Sequence, residues 1–444
     1  GLQGDGSKNN PVSIQSATDL KLVSDYVNSG KNSTNKYFQI DSDIDFANEA
    51  LEYDLNGDGE KESNFRPIGD QLTTTFNGSF DGGNYTISGL KIKSAEKLIG
   101  LFGAAVGDSP DAKTEIKGIT ITDSYIECLS AETYVGSITG YAQYCNLKNC
   151  SVSAEIVSKA ESAIVGGIIA YNYQNIIEDC SFKGSITSTG QGTTLGGLLA
   201  AGGQNGTLNR CYADINLSSS GDKCYIGGFA GSTHSPINNS YSVGTISVSG
   251  EQCVVGGFIG GVTSGGNISN SYAACNITSD DSEDIGGFVG KLLTSVSIKN
   301  SYFIDSWSNK TFEDNSAGVA KSELEMKKDE FVSTLNNNQT PVAWSMDVNN
   351  KNNGFPILIP KDPSVGITCP KEDNDITISY KESNIEITGK QLEYVQIVDM
   401  QGRIIQRENI SGNFFQLGFS QSMGIYIIIV KSASHTKIDK LFLF

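Results

Sequence analysis

Short runs of alternating apolar and polar residues dominate the middle of the chain. Ser185-Ile186-Thr187, Gly244-Thr245-Ile246-Ser247-Val248 and Cys275-Asn276-Ile277-Thr278 are rich in β-branched residues and bounded by Gly, Asn and Ser. That pattern predicts strands. Within 120–298 no stretch has the apolar spacing of a helix. The runs also repeat. Val135-Gly136-Ser137-Ile138 returns as Val165-Gly166-Gly167-Ile168, Leu195-Gly196-Gly197-Leu198, Ile226-Gly227-Gly228-Phe229, Val255-Gly256-Gly257-Phe258 and Ile285-Gly286-Gly287-Phe288, at intervals of 30, 30, 31, 29 and 30. Ile99-Gly100-Leu101-Phe102-Gly103 is a degenerate first copy.

A second mark keeps the same period: Asn149-Cys150, Asp179-Cys180, Arg210-Cys211, Asn239-Ser240, Asn270-Ser271 and Asn300-Ser301. Two marks at one period mean one supersecondary unit copied along the chain. About thirty residues with three short strands suit one coil of a parallel β-helix, each coil stacked on the last at roughly 4.8 Å. The glycine pairs fit either sharp corners or close backbone approach. Charge agrees. Residues 120–297 carry only six cations and fourteen anions, as expected where like charges would stack coil on coil.

A solenoid has two ends that need covering. Ala17–Val27, with Leu20, Val23 and Val27 on one face and Ser16 or Thr18 as N-cap, predicts a helix before the repeats. Ser322–Leu335 predicts another after them, with Ser322 and Glu325 as a capping box. Both are expected to cap the ends. Residues 1–13 read as a disordered polar tail, 14–359 as the solenoid and 360–370 as a linker from Pro360. Residues 371–444 read as a small β-sandwich built from alternating runs at Ile376–Tyr380, Ile385–Thr388, Tyr394–Asp399, Ile404–Arg407, Phe414–Gly418, Ile425–Val430 and Lys437–Phe442.

Whole-chain composition narrows the function. There are 32 Lys+Arg against 50 Asp+Glu, a net charge of −18, with no basic cluster. Such a chain repels phosphate backbones, which excludes nucleic-acid binding. No apolar run reaches the length of a membrane helix, the longest being Gly424–Val430. Two histidines, His234 and His435, exclude a multi-histidine metal centre and leave little room for histidine acid–base chemistry. Nine cysteines are too few for a disulfide scaffold. A monomer is expected, with a leader peptide or lipid-bearing cysteine preceding Gly1.

Several elements occur in a telling order: Asp43-Ile44-Asp45, Pro67-Ile68-Gly69, Phe76-Asn77-Gly78-Ser79-Phe80-Asp81-Gly82, the glycine-marked coils, Trp344 and Asn352-Asn353-Gly354-Phe355-Pro356-Ile357-Leu358. Over roughly 14–360 the chain resembles secreted bacterial proteins bearing the GLUG motif. The resemblance implies a right-handed β-helix on a bacterial cell surface and no defined reaction. Val395-Gln396-Ile397-Val398-Asp399-Met400-Gln401-Gly402-Arg403 and Gly424-Ile425-Tyr426 resemble the C-terminal sorting domain of Bacteroidetes type IX secreted proteins. The usual Asn-Pro opening is missing, and the chain ends Leu441-Phe442-Leu443-Phe444 rather than on lysines. A plain structural module is the alternative. The expected fold class is thus all-β: a right-handed parallel β-helix with short capping helices and a C-terminal β-sandwich. The expected location is extracellular or on the outer-membrane surface.

Three residue sets are candidate sites. Asp54, Asn56, Asp58, Glu60 and Glu62 lie in a segment that matches the first half of an EF-hand-type loop, although position 12 is Phe65 rather than a bidentate glutamate. They predict either a weak structural calcium site or a solvated acidic insertion. Tyr212, Tyr241, Tyr272 and Tyr302 follow the second mark and form one stripe. If it faces outward it would stack on sugar rings; if covered it is a packed ladder. Cys150, Cys180 and Cys211 stack at one position, Cys224 and Cys253 at another, as small core residues or with one disulfide.

No catalytic residue is assigned. A polysaccharide-cleaving β-helix needs facing carboxylates on adjacent coils, or an Arg or Lys base beside carboxylate-held calcium. Asp214, however, is aligned with Ser153, Lys183, Val243 and Ala274, and Arg210 with Asp179. The expected function is a non-enzymatic surface adhesin for a glycan or a surface protein. The alternatives are a carbohydrate-active β-helix enzyme and a structural spacer.

Overall fold

The structure is a computed structural model. It describes residues 2–262, 265–280, 284–293, 296–305, 307–308, 317–360, 376–381, 384–399, 404–418, 424–432 and 436–443. The chain forms two compact units, Gly1–Ile359 and Pro360–Phe444.

The first unit is a parallel β-solenoid. Each copy of the Val-Gly-Gly mark is a short strand that pairs in parallel with the next copy. Tyr134–Gly136, Ile164–Gly166, Thr194–Gly196, Tyr225–Gly227, Val254–Gly256 and Asp284–Gly286 form one sheet with Leu98–Ile99. A second seven-stranded sheet runs from Phe102–Val106 through Thr139–Gln143 and Ile169–Tyr173 to Val289–Leu292. The third is a 19-stranded sheet.

A coil carries four strand segments rather than the expected three. The coil from Tyr134 has Tyr134–Gly136, Thr139–Gln143, Cys145–Lys148 and Ser151–Ser158. Its last two segments belong to the same large sheet, broken by a left-handed residue at Asn149 (φ 53°). Asp179, Arg210, Asn239, Asn270 and Asn300 hold the same conformation, with φ between 47° and 59°. The second mark is therefore a corner. Its first residue takes the left-handed turn that Asn tolerates best, and its second, Cys or Ser, is a small side chain buried inside that corner.

The glycine pairs serve close approach. Gly166 and Gly227 have no positive φ, yet a Cβ on either would run into a backbone carbonyl, of Ile169 and Ala230 respectively. Inside, identical positions stack. Ile126, Ile156, Ile186, Leu217, Ile246 and Ile277 form one fully buried column along the register. Each such side chain contributes about 1.5–3 kcal/mol of apolar burial.

Two expectations about the ends change. The N-terminal residues are ordered: Val12–Ile14 pairs in parallel with Phe38–Ile40, and Gln3 bridges to Ser13. Ile14 is fully buried, so the alternation of Val12 and Ile14 makes this the first rung rather than a tail. Helix α1, Ala17–Asn28, is capped by the Ser16 hydroxyl on Asp19 N–H and buries Leu20, Val23 and Val27 in the core of the solenoid. Helices α2, Glu323–Met326, and α3, Asp329–Asn336, do not join that core. Met326, Phe331 and Leu335 form a separate cluster with Tyr241, Tyr272, Tyr302, Trp344 and Phe355. The C-terminal segment therefore lies along the flank of the later coils.

The second unit is a five-stranded antiparallel sheet: Thr377–Lys381, Asn384–Asp399, Ile404–Gly418, Gly424–Ser432 and Thr436–Leu443. Two pairs of expected strands are fused into long ones. The sequence breaks between them are bulges, with register shifts at Thr388/Leu392 and a left-handed Gln391 (φ 51°). Ile385, Ile387, Val395, Ile397, Ile428 and Val430 share one core.

Candidate functional site

The tyrosine stripe faces outward, and the chain itself covers it. Tyr212 and Tyr241 stack at 4.8 Å and Tyr241 and Tyr272 at 5.0 Å, with interplanar angles of 3° and 4°. Phe331 of α3 meets Tyr302 edge-on at 5.2 Å. Trp344 lies against Tyr241 and Tyr272 at 5.8 and 5.5 Å. Tyr241, Tyr272 and Tyr302 are buried, which pushes their hydroxyls above the ordinary tyrosine value. Only Tyr212, at the end of the ladder, is half-exposed. As a sugar-stacking surface the stripe is corrected: three of its four faces already hold a flanking segment.

That segment, residues 322–359, is fastened corner by corner. The Asn300 amide donates to the Thr334 carbonyl at 2.8 Å, and the Gln339 amide to Asn239 Oδ1 at 2.9 Å. Tyr272 donates its hydroxyl to the Pro356 carbonyl at 2.6 Å and accepts from Asn352 Nδ2 at 2.8 Å. The Arg210 guanidinium, 2.7 Å from Asp179, donates to the Ile359 carbonyl. The aligned pair Arg210 and Asp179 is thus a clasp on the strap, with the arginine buried. Asp347 shapes the turn, accepting the backbone N–H groups of Lys351, Asn352 and Gly354 at 2.8, 2.6 and 3.1 Å. The turn sends Asn352 inward and leaves Lys351 and Asn353 exposed.

Beside this strap lies a groove of about 650 Å³. Its floor is the outer face of the long strands: Val243, Thr245, Ala274, Asn276 and Thr278. One wall is Trp307, half-buried and edge-on to Phe355 at 5.8 Å, with Asn353 and Lys351. The far rim is Lys183 and Asp214, paired at 2.8 Å on adjacent coils. Thr245, Asn276 and Thr278 present exposed hydroxyl and amide groups. Thr245 Oγ1 also donates to Asn216 Oδ1 at 2.9 Å, continuing the polar face one coil back. Among the described residues lining the groove Asp214 is the only carboxylate, and it is held by a lysine. Cleavage by paired carboxylates needs two.

Sequence reasoning aligns Lys183, Asp214, Val243 and Ala274 in the observed register but does not mark them as a binding groove. Trp307 carried no repeat signal, because it follows the last Asn-Ser mark. A lone tryptophan beside a polar Asn/Thr ladder was the available clue.

The acidic loop closes on itself. Burial raises the pKa of the Asp54 carboxylate, but the N–H groups of Gly59 and Gly57, accepted at 2.9 and 2.7 Å, together with those of Asn56 and Asp58 outweigh it and hold the value down. Asn56 Nδ2 donates to Asp58 at 2.8 Å and Glu62 at 3.1 Å. Glu62 also holds Lys93 at 2.6 Å, and Glu60 contributes only its backbone N–H, to Asp58. An N–H group stands where a cation would need oxygens, so these five residues as placed do not fit calcium. Among the described residues no group of three His, Cys, Asp or Glu is arranged to hold a metal.

Among the described residues eight cysteines are buried and free. Burial pushes the thiols of Cys145 and Cys180 well above their ordinary value, and the contact with Cys180 together with burial does so for Cys150. These three protonated, buried thiols are small core residues, inert as nucleophiles; the Cys253 side chain beside Cys224 instead lowers the Cys224 thiol.

Residues 131–157 and 162–187 each match the GLUG motif, and residues 372–443 match the secretion system C-terminal sorting domain. A Gly-rich membrane protein of Evansella cellulosilytica is 32% identical over 138 residues, 31% of this chain and 14% of that protein. Among solved structures, an IgA1 protease shares the fold at a TM-score of 0.51 and 13% identity, over 97% of this chain and 34% of that one. The chain thus spans about a seventh of the length of the first and a third of the second. Among the described residues no helix is long and apolar enough to cross a membrane. The two GLUG coils and the type IX sorting domain identify a secreted, cell-surface protein built on a parallel β-solenoid.

Proposed function

We propose that this protein is a non-enzymatic adhesin that binds a glycan chain in the groove between the later coils and the strap. The observation that carries the reading is the pairing of one half-buried tryptophan with a ladder of exposed Thr and Asn side chains. An indole face packs the apolar face of a sugar ring, while hydroxyl and amide groups answer its hydroxyls. The floor rests on hydrogen-bonded strands and the wall on a clasped turn, so the groove is preorganised and little ordering opposes binding. A lone, lysine-paired carboxylate favours binding over cleavage. A spacer would have no reason to keep a half-exposed tryptophan above a polar groove.

The test is a polysaccharide array with the wild-type chain and Trp307→Ala. Loss of an aromatic anchor worth about 2 kcal/mol weakens binding about 30-fold. Asn276→Ala is expected to weaken it less. Equal binding by Trp307→Ala and wild type would remove the groove from the account, and new reducing or unsaturated ends would replace the adhesin by an enzyme.

A further inference from the structure

A second group of tyrosines lies on the two GLUG coils, away from the strap. Tyr141 and Tyr171 occupy the same position on consecutive coils and stack at 5.6 Å with an interplanar angle of 8°. Tyr134, from the neighbouring sheet, stands edge-on to both, at 6.2 and 6.0 Å. Tyr173 and Tyr144 complete the group: after burial, the strongest influences on the Tyr141 hydroxyl are those of Tyr171, Tyr134, Tyr173 and Tyr144. All five are partly exposed.

The register shows where this ladder stops. The column reads Ala104, Tyr141, Tyr171, Ala201, Ser232, Gly261 and, three coils beyond Ala201, Lys291, which is paired with Asp284. Small residues flank the two-ring stack on both sides, so in the pairing register neither outer ring face meets a side chain larger than a methyl. Beside it, Tyr173 leans over Gly203, where a Cβ would come within 2.8 Å of its ring. The result is a shelf with aromatic faces at one end and a shallow floor of Ala, Ser and Gly beyond. Polar groups line it: the Tyr141 hydroxyl donates to Gln143 Oε1 at 3.0 Å. Within the group no charged side chain takes part, although the chain carries a net charge of −18.

We propose that this tyrosine corner is a second binding site, for a neutral polysaccharide lying along the solenoid axis. Amphipathic rings with surface hydroxyls and bare faces suit a ligand that is apolar on its ring faces and hydroxylated at its edges. The lack of charge argues for a neutral glycan over a uronate. Coils repeat at roughly 4.8 Å, so successive residues of an extended glycan meet successive rungs. A protein interface of stable size carries a fully buried apolar core, whereas beside its half-exposed rings this corner offers only hydroxyls, the Gln143 amide and small residues.

The experiment is affinity electrophoresis of the full chain in gels carrying laminarin, mannan, galactomannan or polygalacturonate. The groove variant Trp307→Ala provides the background on which this second site is read alone. Trp307→Ala is expected to remain retarded by at least one neutral polymer. Adding Tyr141→Ala and Tyr171→Ala is expected to weaken that retardation at least 10-fold, while Tyr141→Phe with Tyr171→Phe keeps most of it. Ala201→Tyr, which covers the bare face of Tyr171 without removing a ring, is expected to abolish it and guards against a folding defect. Retardation by polygalacturonate alone, by no neutral polymer, or unchanged after the alanine substitutions would overturn the site. So would capture of a surface protein that competes with none of the glycans.

Discussion

Two sets of tyrosines, built the same way, end in opposite states. Tyr212 to Tyr302 and the Tyr141–Tyr171 pair are both outward-facing columns in which a repeat position stacks on itself. The first is roofed by α3, Trp344 and Phe355, and the hydroxyl of Tyr272 is spent on Pro356 and Asn352. The second keeps its ring faces and stops against alanines. A solenoid of this kind makes aromatic ladders cheaply, because one side chain per coil suffices. What decides their role is whether the same chain returns to cover them.

That contrast is open to attack by mutation. The largest effect is expected at Tyr272→Ala. Removing a fully buried ring costs about 3–5 kcal/mol, and the strap should lift. Rapid proteolysis within 337–359 at unchanged solenoid circular dichroism is the readout, and a protected strap would refute the ladder's role as its seat. Asn352→Ala leaves the buried Tyr272 hydroxyl short of a partner and is expected to cost about 1–3 kcal/mol, read as a lower unfolding midpoint.

Alkali tests the same seat. Burial holds Tyr241 and Tyr272 above the ordinary tyrosine value, so the folded state keeps protons that the unfolded state releases. The stability they contribute is complete below about pH 10, the unfolded value, and is lost as pH rises toward the folded one. The strap should detach first there, visible as protease sensitivity; constant protection up to complete unfolding would contradict this. At the uncovered corner, Tyr141→Ala should cost no more than about 1 kcal/mol, the scale of a cross-strand aromatic pair. The smallest effect is expected from metal removal: chelation by EDTA should shift the melting temperature by less than about 1 °C. A larger shift would mean that the Asn56 amide turns to present its oxygen to calcium.

Much of the covered region was legible and its cover was not. The thirty-residue period, both marks and the alignment of Asp214 with Lys183 and Val243 follow from side chains that must repeat when coils stack. The change at the position after the mark, from Ser151 and Ser181 to Tyr212, Tyr241, Tyr272 and Tyr302, even tells which coils lie under the strap. The strap itself depends on contacts between residues well separated in sequence, such as Asn352 with Tyr272, and no local periodicity records them. Helix α3 looked like an end cap because its apolar face announces burial without saying against what. The Tyr141 corner escaped notice because only two coils carry it, too few to read as a stripe. Ligand spacing in Asp54–Glu62 likewise says nothing of which groups the loop spends on its own N–H donors.

Residue-level footprinting tests the central contrast most directly. Tyrosine nitration and tryptophan oxidation would be mapped by mass spectrometry on the intact chain, with and without a bound glycan. The account predicts ready modification of Tyr134, Tyr141, Tyr171 and Trp307, and resistance of Tyr241, Tyr272 and Tyr302. A glycan from the array should then protect Trp307. Equal modification of both tyrosine sets, or a Trp307 indifferent to every bound glycan, would contradict it.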